Sequence, residues 1–190
     1  MLFHHFLLDN NESNAYILAC DTTREALLVD AGCWDPAIGD FISEHDLKLT
    51  TVFITHDHYD HTEGLDAIVD RYHPEVVSLR GRLGQSRARR TQHGDEIRIG
   101  DLVGRVLDTT GHTADSISLA FPGLVFTGDA LFAGSVGGTG SPKAGERQHA
   151  RIVEHIFSLP LDTEIQPGHG PSSTVEIEKN YNPFFSRLAD

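Results

Sequence analysis

The sequence predicts an α/β fold: an αββα four-layer sandwich in which two mixed sheets pack face to face and helices lie outside. Short apolar strands dominate the first third of the chain and are followed by amphipathic helices, and the second half repeats this order. The chain has 190 residues, 39% hydrophobic and 23% charged, which is typical of a globular domain. No linker or low-complexity tract interrupts it, so we expect a single domain over residues 1–190.

In the first half, three β-type runs separated by turn residues come first. They are FHHFLL, NAYILA and EALLVDAG. The run DPAIGDFISEHD predicts a helix with Asp35 as its cap and Pro36 as its first residue. LTTVFIT (residues 49–55) predicts a buried strand, TEGLDAIVDRY a helix, and EVVSL a further strand. The apolar face of that second helix would comprise Leu65, Ile68, Val69 and Tyr72.

The second half begins with two predicted hairpins. EIRIG and LVGRVLDT would turn at Gly100 and Asp101, and SISLAF and LVFTGD would turn at Pro122 and Gly123. A glycine-rich loop, AGSVGGTGSPKAG (residues 133–145), follows. The remaining predicted elements are the helix ERQHARIVEHIFSL, the strand TEIQ and a helical stretch near STVEIEKNY.

The charge balance limits the classes of partner. With 15 basic and 28 acidic residues the formal net charge is −13, which argues against binding to nucleic acid or to an anionic membrane. Five of the arginines fall within residues 80–90. We interpret this segment as a solvated loop or a charged helix face, with an anion-binding or subunit-contact patch as the alternative.

Cysteine usage and hydropathy indicate a cytoplasmic setting. Cys20 and Cys33 lie in or next to apolar runs and predict small buried thiols, not a disulfide. No run reaches the ~20 apolar residues of a membrane span. The N-terminal stretch also lacks the basic start and the long apolar run of a signal peptide. We therefore expect no membrane partner, and the sequence does not indicate an oligomeric state.

Ionisable side chains follow four predicted strands, at the points where loops project them from a rigid frame. THDHYDH (residues 55–61) comes directly after the buried strand, and single residues follow three later strands. The set comprises His56, His58, Asp60, His61, His112, Asp129 and His169. Taken alone, Asp60 could cap a helix and His112 could occupy a turn. Their shared position at strand ends indicates a common task.

That task is predicted to be metal binding. Imidazole nitrogen and carboxylate oxygen suit zinc, iron or manganese, and no cysteine joins the set. Three histidines would form one open site. A second site would consist of Asp60, His61 and His169, and Asp129 could bridge the two metals. Two metals about 3.5–4 Å apart bind and activate a water for hydrolysis.

Together these residues resemble the signature of the metallo-β-lactamase superfamily. HDHYDH matches its HxHxDH motif, and the other elements arrive in family order: DAG at Asp30, GHT at His112, TGDALF at Asp129 and PGHG at His169. The sequence is most similar to the short glyoxalase II-like (hydroxyacylglutathione hydrolase-like) members. The resemblance implies the metallo-β-lactamase fold without the C-terminal helical domain of full-length glyoxalase II.

The resemblance also assigns roles to residues. His56, His58 and His112 would hold the first metal. Asp60, His61 and His169 would hold the second, and Asp129 would bridge. Asp60 and Asp129 are the expected catalytic residues. The expected cofactors are two divalent ions, zinc in the first place, with iron or manganese as alternatives. Asp57 and Tyr59 are interpreted as spacers between ligands.

The implied activity is hydrolysis of a small-molecule thioester or ester, such as S-lactoylglutathione, through attack by a metal-bridging hydroxide. A thiolate leaves readily because its thiol has a pKa of ~8.5, whereas an amide nitrogen must be protonated. One departure concerns the substrate: SVGGTG (residues 135–140) stands where short relatives read GVGRTD. Lys143, Arg147 and Lys179 are candidate anchors for a substrate carboxylate, with ordinary surface roles as the alternative.

Two other functions stay open at this point. The related persulfide dioxygenases hold one iron through a triad that corresponds here to His56, His112 and Asp129. A non-catalytic, metal-stabilised binding protein is the second alternative. The stretch PGHGPSST is more similar to the hydrolases, and the intact ligand set argues against a non-catalytic role.

Overall fold

The computed structural model describes residues 1–185 and confirms the four-layer sandwich. Each half of the chain forms one six-stranded mixed sheet. In sheet order, the first consists of β1 (Leu2–Leu7), β2 (Asn14–Ala19), β3 (Glu25–Val29), β4 (Lys48–Phe53), β5 (Glu75–Ser78) and β8 (Arg89–Arg90). The second consists of β16 (Ser173–Thr174), β15 (Glu164–Pro167), β12 (Leu124–Gly128), β11 (Ile117–Phe121), β10 (Leu102–Asp108) and β9 (Glu96–Ile99).

Two short hairpins and five α-helices complete the described part of the chain. The hairpins are β6 (Arg82–Leu83) with β7 (Ser86–Arg87), and β13 (Leu131–Phe132) with β14 (Ser135–Val136). The helices are α1 (Pro36–Glu44), α2 (Tyr59–Thr62), α3 (Leu65–Tyr72), α4 (Pro142–Arg151) and α5 (Val175–Tyr181). A π-helical turn, Ile152–Ile156, continues α4.

Three buried clusters of apolar side chains hold the four layers together. The alternation of side chains along a strand distributes neighbouring residues between clusters. In β3, Leu27 faces the second sheet and Leu28 faces the outer helices. In β12, Val125 packs towards the outer helices while Phe126 faces the first sheet. Because both faces of these strands are buried, they read as continuous apolar runs in the sequence.

Strand direction decides which strand ends meet. β10 and β12 are each antiparallel to β11 and so run in the same direction, and β15 is parallel to β12. Their carboxyl ends therefore lie at one edge of the second sheet. In the first sheet, β3 and β4 are also parallel. A hydrogen bond from the Ile117 amide to the Thr55 carbonyl, 2.9 Å long, joins the two sheets at this edge.

Several local predictions are confirmed. The Asp35 side chain caps α1 by accepting a hydrogen bond from the Ala37 amide, and Pro36 is the first helical residue. Both predicted hairpins of the second half form, as β9–β10 and β11–β12. Cys20 and Cys33 are free thiols, the first buried and the second half-buried.

The helix predicted over TEGLDAIVDRY is wrong as a continuous element. The chain forms a short helix, α2, and then α3, with a break at Glu63 and Gly64. Gly64 donates its amide hydrogen to the Ala31 carbonyl, and a Cβ at this position would lie 2.3 Å from the Cys33 carbonyl carbon. The break therefore follows from close packing of the chain against the segment after β3.

The predicted end of the glycine-rich loop is also wrong. Helix α4 begins at Pro142, inside the stretch predicted as loop, because the Ser141 side chain accepts a hydrogen bond from the Ala144 amide. Pro142 suits the first helical position, where no amide donor is needed. The hairpin β13–β14 occupies the start of the same stretch.

For the arginine-rich segment, the prediction of a loop or a helix is wrong, because the backbone forms short strands. It forms the hairpin β6–β7 and the edge strand β8. The prediction of solvent exposure is confirmed for all five arginine side chains.

None of the helices within residues 1–185 has the length and apolar composition that crossing a bilayer requires.

Replacing Ser141 with alanine tests the start of α4. We expect Ser141→Ala to lower the free energy of unfolding by about 1 kcal/mol, because the amide of Ala144 loses its capping acceptor. Ser141→Asp should keep most of the stability. Urea denaturation followed by circular dichroism measures both. Equal stability of all three proteins would contradict a helix start at this position.

Candidate metal centre

All seven predicted ligands lie together at the edge where the two sheets end. The four residues from the THDHYDH motif follow β4, and His112 follows β10. Asp129 comes directly after β12, and His169 comes two residues after β15. The side chains form two groups. Within each group, the candidate ligand atoms lie within 4.8 Å of one another. Their members are His56, His58, His112 and Asp129 in the first group, and Asp60, His61 and His169 in the second.

In the first group, three imidazole nitrogens converge. Nδ1 of His58 lies 3.1 Å from Nε2 of His56 and 3.1 Å from Nε2 of His112. Two nitrogens bound to one tetrahedral zinc at 2.0–2.1 Å lie about 3.3 Å apart. His56 is buried, whereas His58 is exposed at the surface of the group. This trigonal arrangement can hold one cation and leave its outer side open.

In the second group, His61 is buried and His169 is partly exposed. Their Nε2 atoms are 3.3 Å apart. Asp60 completes the group, with its Oδ2 atom 3.5 Å from Nε2 of His169. Two imidazoles and one carboxylate thus surround a second position that can hold a cation.

Asp129 lies between the groups. Its Oδ2 atom is 3.5 Å from Nε2 of His112 and 3.7 Å from Nε2 of His169. Its Oδ1 atom is 3.3 Å from Nε2 of His61. A carboxylate that contacts histidines of both groups is suited to bridge two cations.

Hydrogen bonds to the far ring nitrogens orient three of the histidines. His112 donates from Nδ1 to the Gly138 carbonyl at 2.7 Å, which leaves Nε2 free to face the first group. Nδ1 of His61 contacts Oδ2 of Asp30 at 3.0 Å, and Nδ1 of His56 contacts the Thr55 hydroxyl at 3.0 Å. Such partners set the tautomer and direction of a ligating imidazole.

Asp30 is a functional residue that the sequence analysis did not include in the site. Its buried carboxylate accepts hydrogen bonds from the Thr55 amide at 2.8 Å and the Thr55 hydroxyl at 2.9 Å, and it contacts His61. It therefore ties the end of β4 to a ligand of the second group. The signal in the sequence was the DAG stretch at the end of a strand, and Asp30 adopts a left-handed backbone with φ 59°.

Asn14 is a second residue that sequence reasoning missed. Its buried side-chain amide donates to the Pro167 carbonyl at 3.0 Å and the Gly170 carbonyl at 2.9 Å. These carbonyls lie on either side of His169 in the chain, so Asn14 closes the loop that presents this ligand. Nothing in the sequence marks the role, because Asn14 belongs to β2 in the other sheet.

Two glycines allow the close packing of the site. A Cβ at Gly168 would lie 2.1 Å from Oδ1 of Asp129, and one at Gly137 would lie 2.9 Å from Nδ1 of His112. Contacts this short exclude any larger side chain without movement of a candidate ligand. Gly168 and Gly137 are therefore required by space.

Burial and mutual charge shift the pKa values of the central groups. Burial and the positive charge of His61 lower the pKa of His56 to about 2. Burial also opposes the charge on His61, but the carboxylates of Asp30 and Asp129 outweigh it and raise the pKa of His61 to about 10. Burial opposes ionisation of Asp129, yet His61 holds its pKa down to about 2. Without metal, the carboxylates of Asp30 and Asp129 thus favour the charged form of His61.

The donor set fits divalent cations. Oδ1 of Asp129 is buried, and its contact with Nε2 of His61 at 3.3 Å does not have the geometry of a hydrogen bond, so a cation in the bridged space would give this oxygen a better partner. The imidazole nitrogens that face one another at 3.1–3.3 Å need either a proton or a cation between them, because two lone pairs at this distance repel. Nitrogen and oxygen ligands without thiolate are compatible with zinc, iron or manganese.

The two residues between the ligands behave differently from each other. Asp57 is not a passive spacer, because its carboxylate pairs with Nη1 of Arg80 at 2.9 Å. Tyr59 is exposed beside the site. Among the candidate anchors, Lys143 and Arg147 are exposed, and Lys179 donates to the Phe157 carbonyl. None of the three belongs to either ligand group.

Comparison with known proteins places these observations in a family context. The family model described as the metallo-beta-lactamase superfamily matches residues 8–169. Hydroxyacylglutathione hydrolase from Chromohalobacter salexigens is 33% identical over an alignment of 157 residues that covers 81% of this chain. The chain spans 60% of the length of that relative.

Solved structures agree with the fold and with metal binding. The crystal structure of ETHE1 from Myxococcus xanthus matches with a TM-score of 0.87 and 32% identity, over 99% of this chain and 89% of that one. The crystal structure of TTHA1623 in a di-iron-bound form matches with a TM-score of 0.77 and 27% identity, over 95% and 99% of the two chains.

Asp30→Asn tests the support of the second group. We expect a loss of metal affinity of about 10–100-fold at one of two sites, because an amide cannot both accept from Thr55 and orient His61. Metal content and competition with a chromophoric chelator measure the change. Asp35→Asn, the same chemical change at a helix cap, should leave both affinities unaltered. Unchanged binding in Asp30→Asn would contradict the orienting role.

Gly168→Ala tests the spatial constraint at Asp129. The new methyl group would overlap Oδ1 of Asp129, so we expect loss of at least one equivalent of bound metal. Gly170→Ala is the matched control in the same loop, because a Cβ there meets nothing within 4 Å. Its left-handed backbone, with φ 74°, should cost about 1 kcal/mol of stability without removing metal. Equal metal content in the two variants would contradict the constraint.

Proposed function

This chain belongs to the metallo-beta-lactamase superfamily, and on that premise we propose that it is a dinuclear metal-dependent hydrolase of small thioesters or esters. The observation that carries the proposal is the position of Asp129, which contacts histidines of both ligand groups. A shared carboxylate is the arrangement in which two metals lie close enough to act on one water.

Each part of the site has a task in this reaction. His56, His58 and His112 would hold one cation, and the second group would hold the other, with Asp129 between them. When bound, the two ions supply Lewis acidity and activate water for attack on a carbonyl. The buried walls around His56 and His61 strengthen electrostatic interactions with the charge that develops on the carbonyl oxygen.

The nature of the leaving group favours a thioester. Hydrolysis adds the elements of water to the acyl carbon and breaks its bond to sulfur, oxygen or nitrogen. Because each of the seven side chains would hold a metal, none is left to protonate a leaving atom. A thiolate leaves without a proton, since the pKa of its thiol is ~8.5, whereas an amine does not. Thioesters are therefore better substrates for this site than amides or lactams.

The name of the relative from Chromohalobacter salexigens supports an acyl-glutathione as the first substrate to examine. The loop before α4 offers glutathione no charged anchor between Gly137 and Gly140. Lys143 and Arg147 are exposed on α4, and the loop before this helix contains only small and polar residues from Gly137 to Gly140. We therefore propose a small thioester, with S-lactoylglutathione as one member of the panel.

The test is metal-dependent release of thiol. The protein loaded separately with zinc, iron or manganese should hydrolyse members of a thioester and ester panel, with thiol release followed by a chromogenic disulfide. A chelator should abolish the activity and added metal should restore it. His58→Ala should lose activity by at least about 10³-fold, whereas His45→Ala, at the end of α1, should retain it.

Three results would contradict the proposal. The first is absence of turnover across the whole panel with two equivalents of metal bound. The second is equal turnover of matched amides. The third is one iron per chain together with oxygen uptake that depends on glutathione persulfide, which would instead indicate a dioxygenase.

A further inference from the structure

We infer that Arg80 is a positioning residue that ties together the two loops carrying the histidines of the first ligand group. The inference deepens the proposed metal site and rests on it, but it does not depend on which substrate is cleaved. It concerns a residue of the arginine-rich segment, for which neither the sequence nor the proposed reaction supplies a role.

The geometry of Arg80 is that of a bridge. Its Nη1 atom contacts Oδ2 of Asp57 at 2.9 Å, and its Nε atom contacts Oδ2 of Asp115 at 2.8 Å. Asp57 immediately precedes His58, and Asp115 follows His112 by three residues. One guanidinium therefore holds a loop of the first sheet and a loop of the second sheet at a set separation.

That separation decides whether the first group can bind a cation. Nδ1 of His58 and Nε2 of His112 are 3.1 Å apart, yet the two residues come from different sheets. His58 is exposed, and no hydrogen bond to its remaining ring nitrogen appears among the described residues. Its position depends on its own loop, and Arg80 is the connection that links the Asp57 side chain to the opposite loop.

Burial and chemistry favour arginine at this point. Asp115 is buried, with 7% of its surface exposed, and Arg80 is its only ion-pair partner within residues 1–185. A planar guanidinium can present Nε and Nη1 to two different carboxylates at once, which a lysine ammonium on a flexible stem does less well. The Arg80 backbone is itself fixed, because its carbonyl accepts a 2.6 Å hydrogen bond from the Ser78 hydroxyl at the end of β5.

The local charge argues against an alternative role as an anchor for an anionic substrate. Two carboxylates face one guanidinium, so the cluster of Asp57, Arg80 and Asp115 has a net charge of 1 − 2 = −1. The overall charge of −13 adds to the repulsion of an anion. The guanidinium itself is half-exposed, where ion pairs add little to stability, so the main consequence of the bridge is expected in geometry.

Cobalt titration of the metal-free protein tests the inference, because visible absorption reports each site as it fills. We expect Arg80→Ala to weaken one of two sites by about 10–100-fold, with the other within about twofold of wild type. The weakened site should be the one lost in His58→Ala, and not the one lost in His169→Ala. Asp115→Asn should reproduce Arg80→Ala, and Arg80→Lys should have a smaller effect.

Arg82→Ala is the matched control, since Arg82 lies two residues away and is exposed, and its side chain bonds only the Gln85 carbonyl among the described residues. It should bind cobalt as the wild type does. Three results would overturn the inference: unchanged affinities in Arg80→Ala, weakening of the site that His169→Ala loses, or a higher KM for anionic thioesters with unaltered cobalt binding. The first two results are read from cobalt binding alone, so absence of hydrolysis in the wild type would contradict only the proposed function.

Discussion

The candidate metal centre depends on one constraint of sheet geometry: strands that run in the same direction end at the same edge. β10, β12 and β15 share a direction in the second sheet, and β3 and β4 share one in the first. The bond between the Ile117 amide and the Thr55 carbonyl holds the two edges together. Ligands that are far apart in the chain therefore meet without long loops.

Electrostatic interactions explain how so many ionisable side chains can be buried close together. Buried imidazoles and carboxylates without partners oppose folding, and in the metal-free site Asp30 and Asp129 offset this for His61 by favouring its charged form. Oδ1 of Asp129 has only a poorly aligned contact with His61, at 3.3 Å, which leaves this buried oxygen available to a cation. Divalent cations would supply the missing positive charge, and their binding would then couple to the release of a proton.

Support for the ligands comes from residues outside the two groups, and each supporting contact joins distant segments. Asp30 links the end of β3 to Thr55 and His61. Asn14 of β2 closes the loop of His169. In the inference drawn above, Arg80 adds a link between the loops of His58 and His112. The residues that support the ligands thus come from both sheets. The geometry of the site therefore depends on the packing of the whole sandwich.

Local patterns along the chain were enough to predict the class of the fold and the seven candidate ligands. Continuous apolar runs indicate strands that are buried on both faces, and ionisable residues follow these runs. Both are local patterns that can be read along the chain. The tertiary structure alone decided the break before α3, where Gly64 packs on Cys33, and the hairpin of the arginine-rich segment. Only the tertiary structure showed the contacts of Asp30 and Asn14, and it showed that Asp57, interpreted from the sequence as a spacer, is an ion-pair partner of Arg80. The reason is physical: a ligand needs only a suitable side chain at a strand end, whereas a supporting residue is defined by a partner that folding brings from elsewhere.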